Sequence, residues 1–260
     1  DIHFLEEIYD PLVRCNAWWF SSDNRDKAGL VHYSHPYSSG LDNSPLWDFG
    51  LPVISPDINT YLCIQMECLA VIAAELGNKQ AADSWRQQSQ QLAQRMVDQL
   101  WDEKGGSFQA LHNNNVIPSL TPFNLYPLWT GLLPQEIVQR LIHQLLSPEL
   151  FWGAYPLSTV AKSDPAFDAE TMWRGPVWAN INYFFIEALE KVGEVTLSHE
   201  LRDNTLDLIM NQPDIREYYN AETGIAPTAA APMFAWTASV FIDLALHASA
   251  DAAKIPPLKL

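Results

Sequence analysis

The stretch Ser55-Pro56-Asp57-Ile58-Asn59-Thr60-Tyr61-Leu62-Cys63-Ile64-Gln65-Met66-Glu67-Cys68-Leu69-Ala70-Val71-Ile72-Ala73-Ala74-Glu75-Leu76-Gly77-Asn78 decides the fold class. Ser55 is a favourable N-cap, and Pro56 suits the first helical position, where no amide hydrogen is needed. Leu62, Met66, Leu69, Ala73 and Leu76 recur at helical spacing and make one face apolar. Gly77-Asn78 stops the helix. A second helix starts near Gln80 and carries Trp85, Leu92, Met96 and Leu100 on one face. Two helices joined by so short a turn form an αα-hairpin.

The same grammar extends in both directions. Upstream, a helix reads from Ile2 to Phe20 and ends at Ser21-Ser22-Asp23-Asn24. Loop follows to Ser55, with a short extended piece at Leu30-Val31-His32-Tyr33. Downstream, Trp101 to Pro118 reads as a short hairpin or long loop. Thr121-Pro122 starts a short helix through Trp129, and Pro134-Gln135 starts another with Ile137, Leu141, Leu145 and Leu146 inward. After a loop from Leu150 to Thr171, Gly175-Pro176 opens a helix carrying Val177, Ile181, Phe184, Phe185, Ala188 and Leu189, closed by Gly193. A helix over Thr196 to Asn211, a loop from Gln212 to Pro232, and a last helix with Trp236, Val240, Phe241 and Leu244 complete the chain. The prediction is all-α: roughly eight helices, no strand ladder, and long loops gathered at one mouth of a toroid of helical hairpins. No fixed period of about 34–47 residues recurs, which argues against a solenoid.

The totals narrow the function. A chain of 260 residues with 48% hydrophobic residues makes one large domain. A net charge of −16 repels nucleic-acid phosphates and anionic lipid, so neither is expected as a partner. Mean hydropathy is −0.10, and no apolar run approaching the ~20 residues of a membrane span is expected. Cys15, Cys63 and Cys68 form no CxxC and read as buried thiols. His32 and His35 stand two residues apart, but there is no HExxH and no second such pair, so neither metal nor cofactor is expected. The chain opens at Asp1 rather than Met and runs straight into an apolar-periodic segment, which reads as a cut start. Ten Trp, nine Tyr and eleven Phe exceed what a core requires. Aromatic faces stack on sugar rings, so the expected partner is a carbohydrate.

Three long loops hold the chemistry. The first, Tyr37-Ser38-Ser39-Gly40-Leu41-Asp42-Asn43-Ser44-Pro45-Leu46-Trp47-Asp48, is a loop by composition but includes a Trp and two acids. The plain alternative is an Asx-type turn at Asp42-Asn43 with Trp47 filling a core gap. The second, residues 151–178, contains Tyr155 and then Met172-Trp173-Arg174-Gly175-Pro176-Val177-Trp178. It reads as an aromatic wall with Arg174 donating to hydroxyls, or as a helix entry with Arg174 paired to Asp164, Asp168 or Glu170. Asn180 and Asn182 lie near that helix start, where their amides would reach the mouth. The third, residues 212–236, carries Glu217-Tyr218-Tyr219-Asn220-Ala221-Glu222-Thr223-Gly224 and ends at Trp236. Its Asn220–Gly224 turn leaves Glu222 exposed. Glycoside hydrolysis needs two carboxyls flanking one bond, and Asp42 and Glu217 sit in separate aromatic-rich loops.

Ser39-Gly40-Leu41-Asp42-Asn43-Ser44-Pro45 resembles the acid-bearing motif of glycoside hydrolase family 63, the group of processing α-glucosidase I and the mannosylglycerate and glucosylglycerate hydrolases. Trp173-Arg174-Gly175-Pro176-Val177-Trp178 with Asn182-Tyr183 resembles its second motif, and Glu217 to Gly224 its third, in the family's order. The resemblance implies an (α/α)6 toroid and an inverting α-glycosidase, with Asp42 as general acid and Glu217 as general base. Tyr37, Asn43, Trp47, Asp48, Tyr155, Trp173, Arg174, Trp178, Asn182 and Trp236 would contact substrate. Leu46 stands where the family often has a basic residue, and Ile225-Ala226-Pro227-Thr228 where it often has further glycines. These departures bear on substrate identity. Twelve helices make the complete toroid, so the expectation is a single catalytic domain over 1–260 lacking N-terminal helices. A non-catalytic carbohydrate-binding domain or an inactive truncated hydrolase are the alternatives.

Overall fold

The structure, a computed structural model, describes residues 1–254, with side chains through Asp251. Its helices are α1 (Ile2–Trp19), α2 (Pro56–Glu75), α3 (Lys79–Leu100), α4 (Gln135–Leu145), α5 (Ala179–Lys191), α6 (Val195–Met210) and α7 (Ala235–Lys254). Two compact units divide the chain. The first comprises residues 1–119 and 123–144, the second residues 120–122 and 145–260.

In the first unit α2 and α3 form the expected hairpin, and α1 packs on α2. Leu62, Met66, Leu69 and Ala73 of α2 and Leu92, Met96 and Leu100 of α3 are buried. Trp85 is half-buried and its indole N–H donates to the Tyr9 hydroxyl over 2.9 Å. By length and composition α2 is apolar enough to cross a bilayer, contrary to the expectation from its sequence. Asn59, Gln65 and Glu67 interrupt any continuous apolar run, but Ile, Leu, Met, Cys, Ala and Val keep the mean high. Here 56% of that window is buried within the protein.

Short strands form at the expected extended piece near His32 and in the expected hairpin region after Trp101, and four of them join in a small sheet where no strand ladder was expected. β1 (His32–Tyr33), β2 (Val53–Ile54), β5 (Leu111–His112) and β6 (Asn115–Val116) pair antiparallel in that order, and β3 (Trp101–Asp102) pairs with β4 (Ser107–Phe108). Each has two residues, too few for a period-2 pattern to show. Residues Pro122–Thr130 form a 3-10 helix containing Pro127. Cys63 is buried as expected, but Cys15 and Cys68 are exposed, because they fall on helix faces that nothing covers.

In the second unit α5 and α6 form a second hairpin, with α7 packed on both. The helix expected from Gly175-Pro176 starts later, at Ala179, with Trp178 as N-cap. Val177 is extended instead. It donates its N–H to the Tyr219 carbonyl over 2.7 Å and accepts one back over 2.9 Å, and it also bridges Ser158. Cross-strand partners therefore claim the backbone that Pro176 was expected to start coiling.

Candidate active site

On the first unit, residues 34–50 are built from successive turns. His35 Nδ1 accepts the Tyr37 N–H over 3.2 Å at the start of a 3-10 turn over Pro36–Ser38. Ser39 Oγ accepts the Leu41 N–H over 2.9 Å and donates to the Pro36 carbonyl over 2.5 Å. Buried Ser44 starts a second turn over Pro45–Trp47. Leu41 and Leu46 are buried anchors, and Asp42 between them is exposed. The expected Asx turn is closed by backbone instead, from Ser44 N–H to the Leu41 carbonyl over 3.0 Å. Among the described residues, Asp42 has no hydrogen-bond or ion-pair partner. The Trp47 indole N–H donates to the Leu41 carbonyl over 2.7 Å, pulling the loop shut behind Asp42. Its ring meets Tyr33 edge-on at 5.6 Å. Tyr37 and Asp48 are exposed and Asn43 half-buried.

On the second unit, Glu217 lies in an extended segment. Its N–H donates to the Ala231 carbonyl over 2.9 Å, and its Oε2 accepts the Ala231 N–H over 3.3 Å. Arg216 bridges Pro232 on one side, and Tyr219 bridges Val177 on the other. Glu217 is half-buried. Beside it, Trp173, Trp178 and Tyr218 form one stack: Trp173 on Trp178 at 3.8 Å and 11°, Trp178 on Tyr218 at 5.2 Å and 26°. Phe234 and Trp236 meet Trp178 edge-on at 6.3 and 6.2 Å. The stack grades from core to surface, since Trp173 is 2% exposed and Trp236 44%. Burial pushes the Tyr218 phenol above its ordinary pKa, with the charges of Glu217 and Glu170 adding to it. Met172 and Met233, which border the stack, have positive φ of 24° and 54°. Such strain in non-glycine residues concentrates at functional sites.

The Asn220–Gly224 turn forms as expected. Asn220 Oδ1 accepts from the backbone of Glu222 and Thr223 over 2.8 and 3.0 Å, and its amide donates to Glu170. Glu222 is exposed. The Tyr155 ring lies so close to Gly224 that a Cβ there would come within 2.5 Å of it.

Residues 1–237 match the family described as the mannosylglycerate hydrolase MGH1-like glycoside hydrolase domain. The chain belongs to this family. It is 23% identical to the mannosylglycerate hydrolase of Rubrobacter radiotolerans, over 94% of this chain and 68% of that protein. It is 23% identical to mannosylglycerate hydrolase MGH1 of Selaginella moellendorffii, over 90% of this chain and 59% of that one. The chain thus spans about three-fifths to two-thirds of the curated relatives it matches. Its fold resembles that of a family 63 mannosylglycerate hydrolase from Thermus thermophilus in complex with glucose, with a TM-score of 0.81, 22% identity, and coverage of 93% of this chain and 69% of that one.

Every candidate residue from Tyr37 to Trp236 lies within the residues that match this glycoside hydrolase family. Three candidates are turned inward: Asn182, Trp173 and Trp178. Asn182 is fully buried; its Oδ1 accepts the Leu157 N–H over 2.8 Å, and its amide donates to the Pro156 carbonyl and the Thr205 hydroxyl over 2.6 and 2.9 Å. It clamps residues 156–157 to α6, leaving no amide hydrogen for a sugar. Trp173 and Trp178 are the inner layers of their stack, 2% and 3% exposed, and the Trp178 indole N–H donates to the Met172 carbonyl over 2.9 Å. Arg174 is half-buried; its charge helps hold the Asp168 carboxyl below the ordinary range, after the larger effects of the Thr171 hydroxyl and the backbone N–H groups of Glu170 and Thr171. Tyr33 and Phe234 are site neighbours that sequence reasoning did not single out, and Glu170, named only as a partner for Arg174, accepts from Asn220. For Tyr33 the signal was the short extended piece ahead of the first chemistry-rich loop.

Proposed function

We propose that this chain carries both catalytic carboxylates of an inverting α-glycosidase, acting on an α-linked glucoside or mannoside such as a glycosylglycerate. The observation that carries this reading is Asp42: an exposed carboxylate without a partner among the described residues, held on a tight loop between two buried leucines, in a member of a glycoside hydrolase family. Asp42 protonates the leaving oxygen, and Glu217 activates a water on the opposite face of the ring. One backbone donor, the Ala231 N–H, orients Glu217 and leaves its other oxygen for that water. An inverting pair stands about 6.5–9.5 Å apart, and this spacing is a requirement of the proposal.

In this reading the α2–α3 and α5–α6 hairpins are two of the pairs of an (α/α)6 toroid, and residues 1–260 act as one catalytic domain. Trp236, with Tyr37, Asn43, Trp47, Asp48 and Tyr155, lines the sugar site; buried Trp178 backs Trp236 at 6.2 Å, and Arg174 orients the second loop. Support for the substrate class comes from the relatives, which are mannosylglycerate hydrolases by name.

The test is release of sugar from mannosylglycerate, glucosylglycerate and α-gluco-oligosaccharides by the parent chain and by Asp42→Asn and Glu217→Gln. Each variant should lose on the order of 10²–10⁴ in rate, and NMR of the first-formed sugar should show the β-anomer. Full activity in either variant, or retention of the α-anomer, overturns the assignment. Saturable sugar binding without turnover would instead make the chain a carbohydrate-binding module.

A further inference from the structure

The first unit holds a second feature, which shares no residue with the candidate active site. A cavity of about 450 Å³ is lined by Ser22, Arg25, Asp26, Lys27, Gly29 and Arg95. A neighbouring hollow of about 220 Å³ shares Arg25 and Arg95 and is lined further by Phe20, Gln88 and Gln91. The chain has 31 acidic residues against 15 Lys and Arg. Three of those cations nevertheless converge here with a single carboxylate.

That carboxylate is already committed. Asp26 Oδ1 accepts the N–H groups of Ala28 and Leu30 over 3.0 and 2.8 Å, closing the 26–30 loop. By contrast, Arg25, Lys27 and Arg95 form no ion pair and no side-chain hydrogen bond among the described residues. Elsewhere Arg86, Arg140, Arg202 and Arg216 each pair with a carboxylate. Arg95 is half-buried on α3, and its guanidinium lies against Gly29, where an added Cβ would come within 3.2 Å of Nη1. Gly29 has a φ of +89°, so a side chain there would be strained, and it would press on the guanidinium. The loop is shaped to let a bare guanidinium close over it.

Like charges held together without a counter-charge repel, and an anion in the cavity would relieve this. Two arginine forks and an ammonium supply many donors, Asp26 is the carboxylate in the lining, and the Ser22 hydroxyl already donates to Asp23 over 3.3 Å. The local balance of three cations against one carboxylate matches a dianion better than a monocarboxylate. The volume is in the range of small-molecule sites, which run to roughly 300–1,000 Å³. We infer that Arg25, Lys27 and Arg95 form a binding site for the dianionic phosphate of a small phosphate monoester, independent of the hydrolase reading. Phe20, Gln88 and Gln91 beside it would receive the group the phosphate is attached to.

Calorimetric titration of the full chain with inorganic phosphate, glucose 6-phosphate and acetate tests this at low salt. Saturable one-to-one binding of phosphate is expected, weakened at least tenfold by Arg95→Gln and by Lys27→Gln. Circular dichroism should show both variants folded; Lys27 is exposed, so its replacement leaves the fold intact. Tighter binding of the sugar phosphate than of free phosphate would assign the adjoining hollow to the sugar. Equal binding would assign recognition to the phosphate alone. The inference is overturned if phosphate does not saturate at millimolar concentration, if acetate binds as well, or if either folded variant binds like the parent.

Discussion

The Tyr33 hydroxyl donates to Oδ2 of Asp57 over 2.8 Å, with both residues fully buried. Ser55 donates to the other carboxylate oxygen. The pair joins the first turn of α2 to β1, and Tyr33 in turn meets Trp47, which closes the loop that presents Asp42. One buried carboxylate thus anchors, two steps removed, the exposed one proposed to do the chemistry.

Burial pushes the Asp57 carboxyl above its ordinary pKa, and the hydrogen bonds from Ser55 and Tyr33 only partly pull it back. Between the ordinary and the raised value the folded state binds more protons than the unfolded state. This contribution is therefore full in acid and is lost as pH rises through the raised value. Asp57→Asn removes it. Urea midpoints of parent and variant should diverge as pH falls, with the parent gaining relative to the variant. Parallel curves would remove Asp57 from the account.

Trp47→Phe keeps an aromatic ring, though a smaller one, and deletes the bond to the Leu41 carbonyl. The expected stability loss is about 1 kcal/mol. On the hydrolase reading the Asp42 loop loosens and a sugar contact shrinks, so kcat should fall more than tenfold and KM should rise. A change in KM alone would leave Trp47 a sugar contact with no part in positioning Asp42.

Asn182→Ala should act on stability. It leaves the Leu157 N–H and the Pro156 carbonyl buried and without partners, each costing about 1–3 kcal/mol. A chemical-denaturation midpoint measures this. An active, equally stable variant with weakened sugar affinity would restore Asn182 to the substrate site.

Gly224→Ala places a side chain at a φ of +71° and into the Tyr155 ring. The conformation alone costs about 1–2 kcal/mol, and Tyr155 must move. Thermal unfolding reads the first effect, and loss of sugar affinity the second.

Trp173→Ala and Trp236→Ala should separate the two ends of the aromatic stack. The buried end costs about 3–5 kcal/mol of stability. The half-exposed end should cost little stability but weaken sugar binding severalfold. Equal destabilisation by both would mean that the stack has no ligand-facing edge.

Helix positions were legible in the residues because a helix buried on one face repeats its apolar positions locally. Leu62, Met66, Leu69 and Ala73 needed no distant partner to reveal themselves. The glycoside hydrolase family was legible from the motifs around Asp42, Trp173–Trp178 and Glu217, which are continuous in the chain. Tertiary structure alone decided whether a polar or aromatic residue faces inward. Asn182 and Trp178 were both expected at the substrate, yet both are buried: Thr205, 23 residues on, takes the amide of Asn182, and Tyr218 covers a face of Trp178. Val177 is extended because Ser158 and Tyr219 pair with it, and Cys15 and Cys68 are exposed because their helix faces are left uncovered. Periodicity reports what a segment does with its own neighbours; burial of a single side chain depends on groups remote in the chain, which no local pattern encodes.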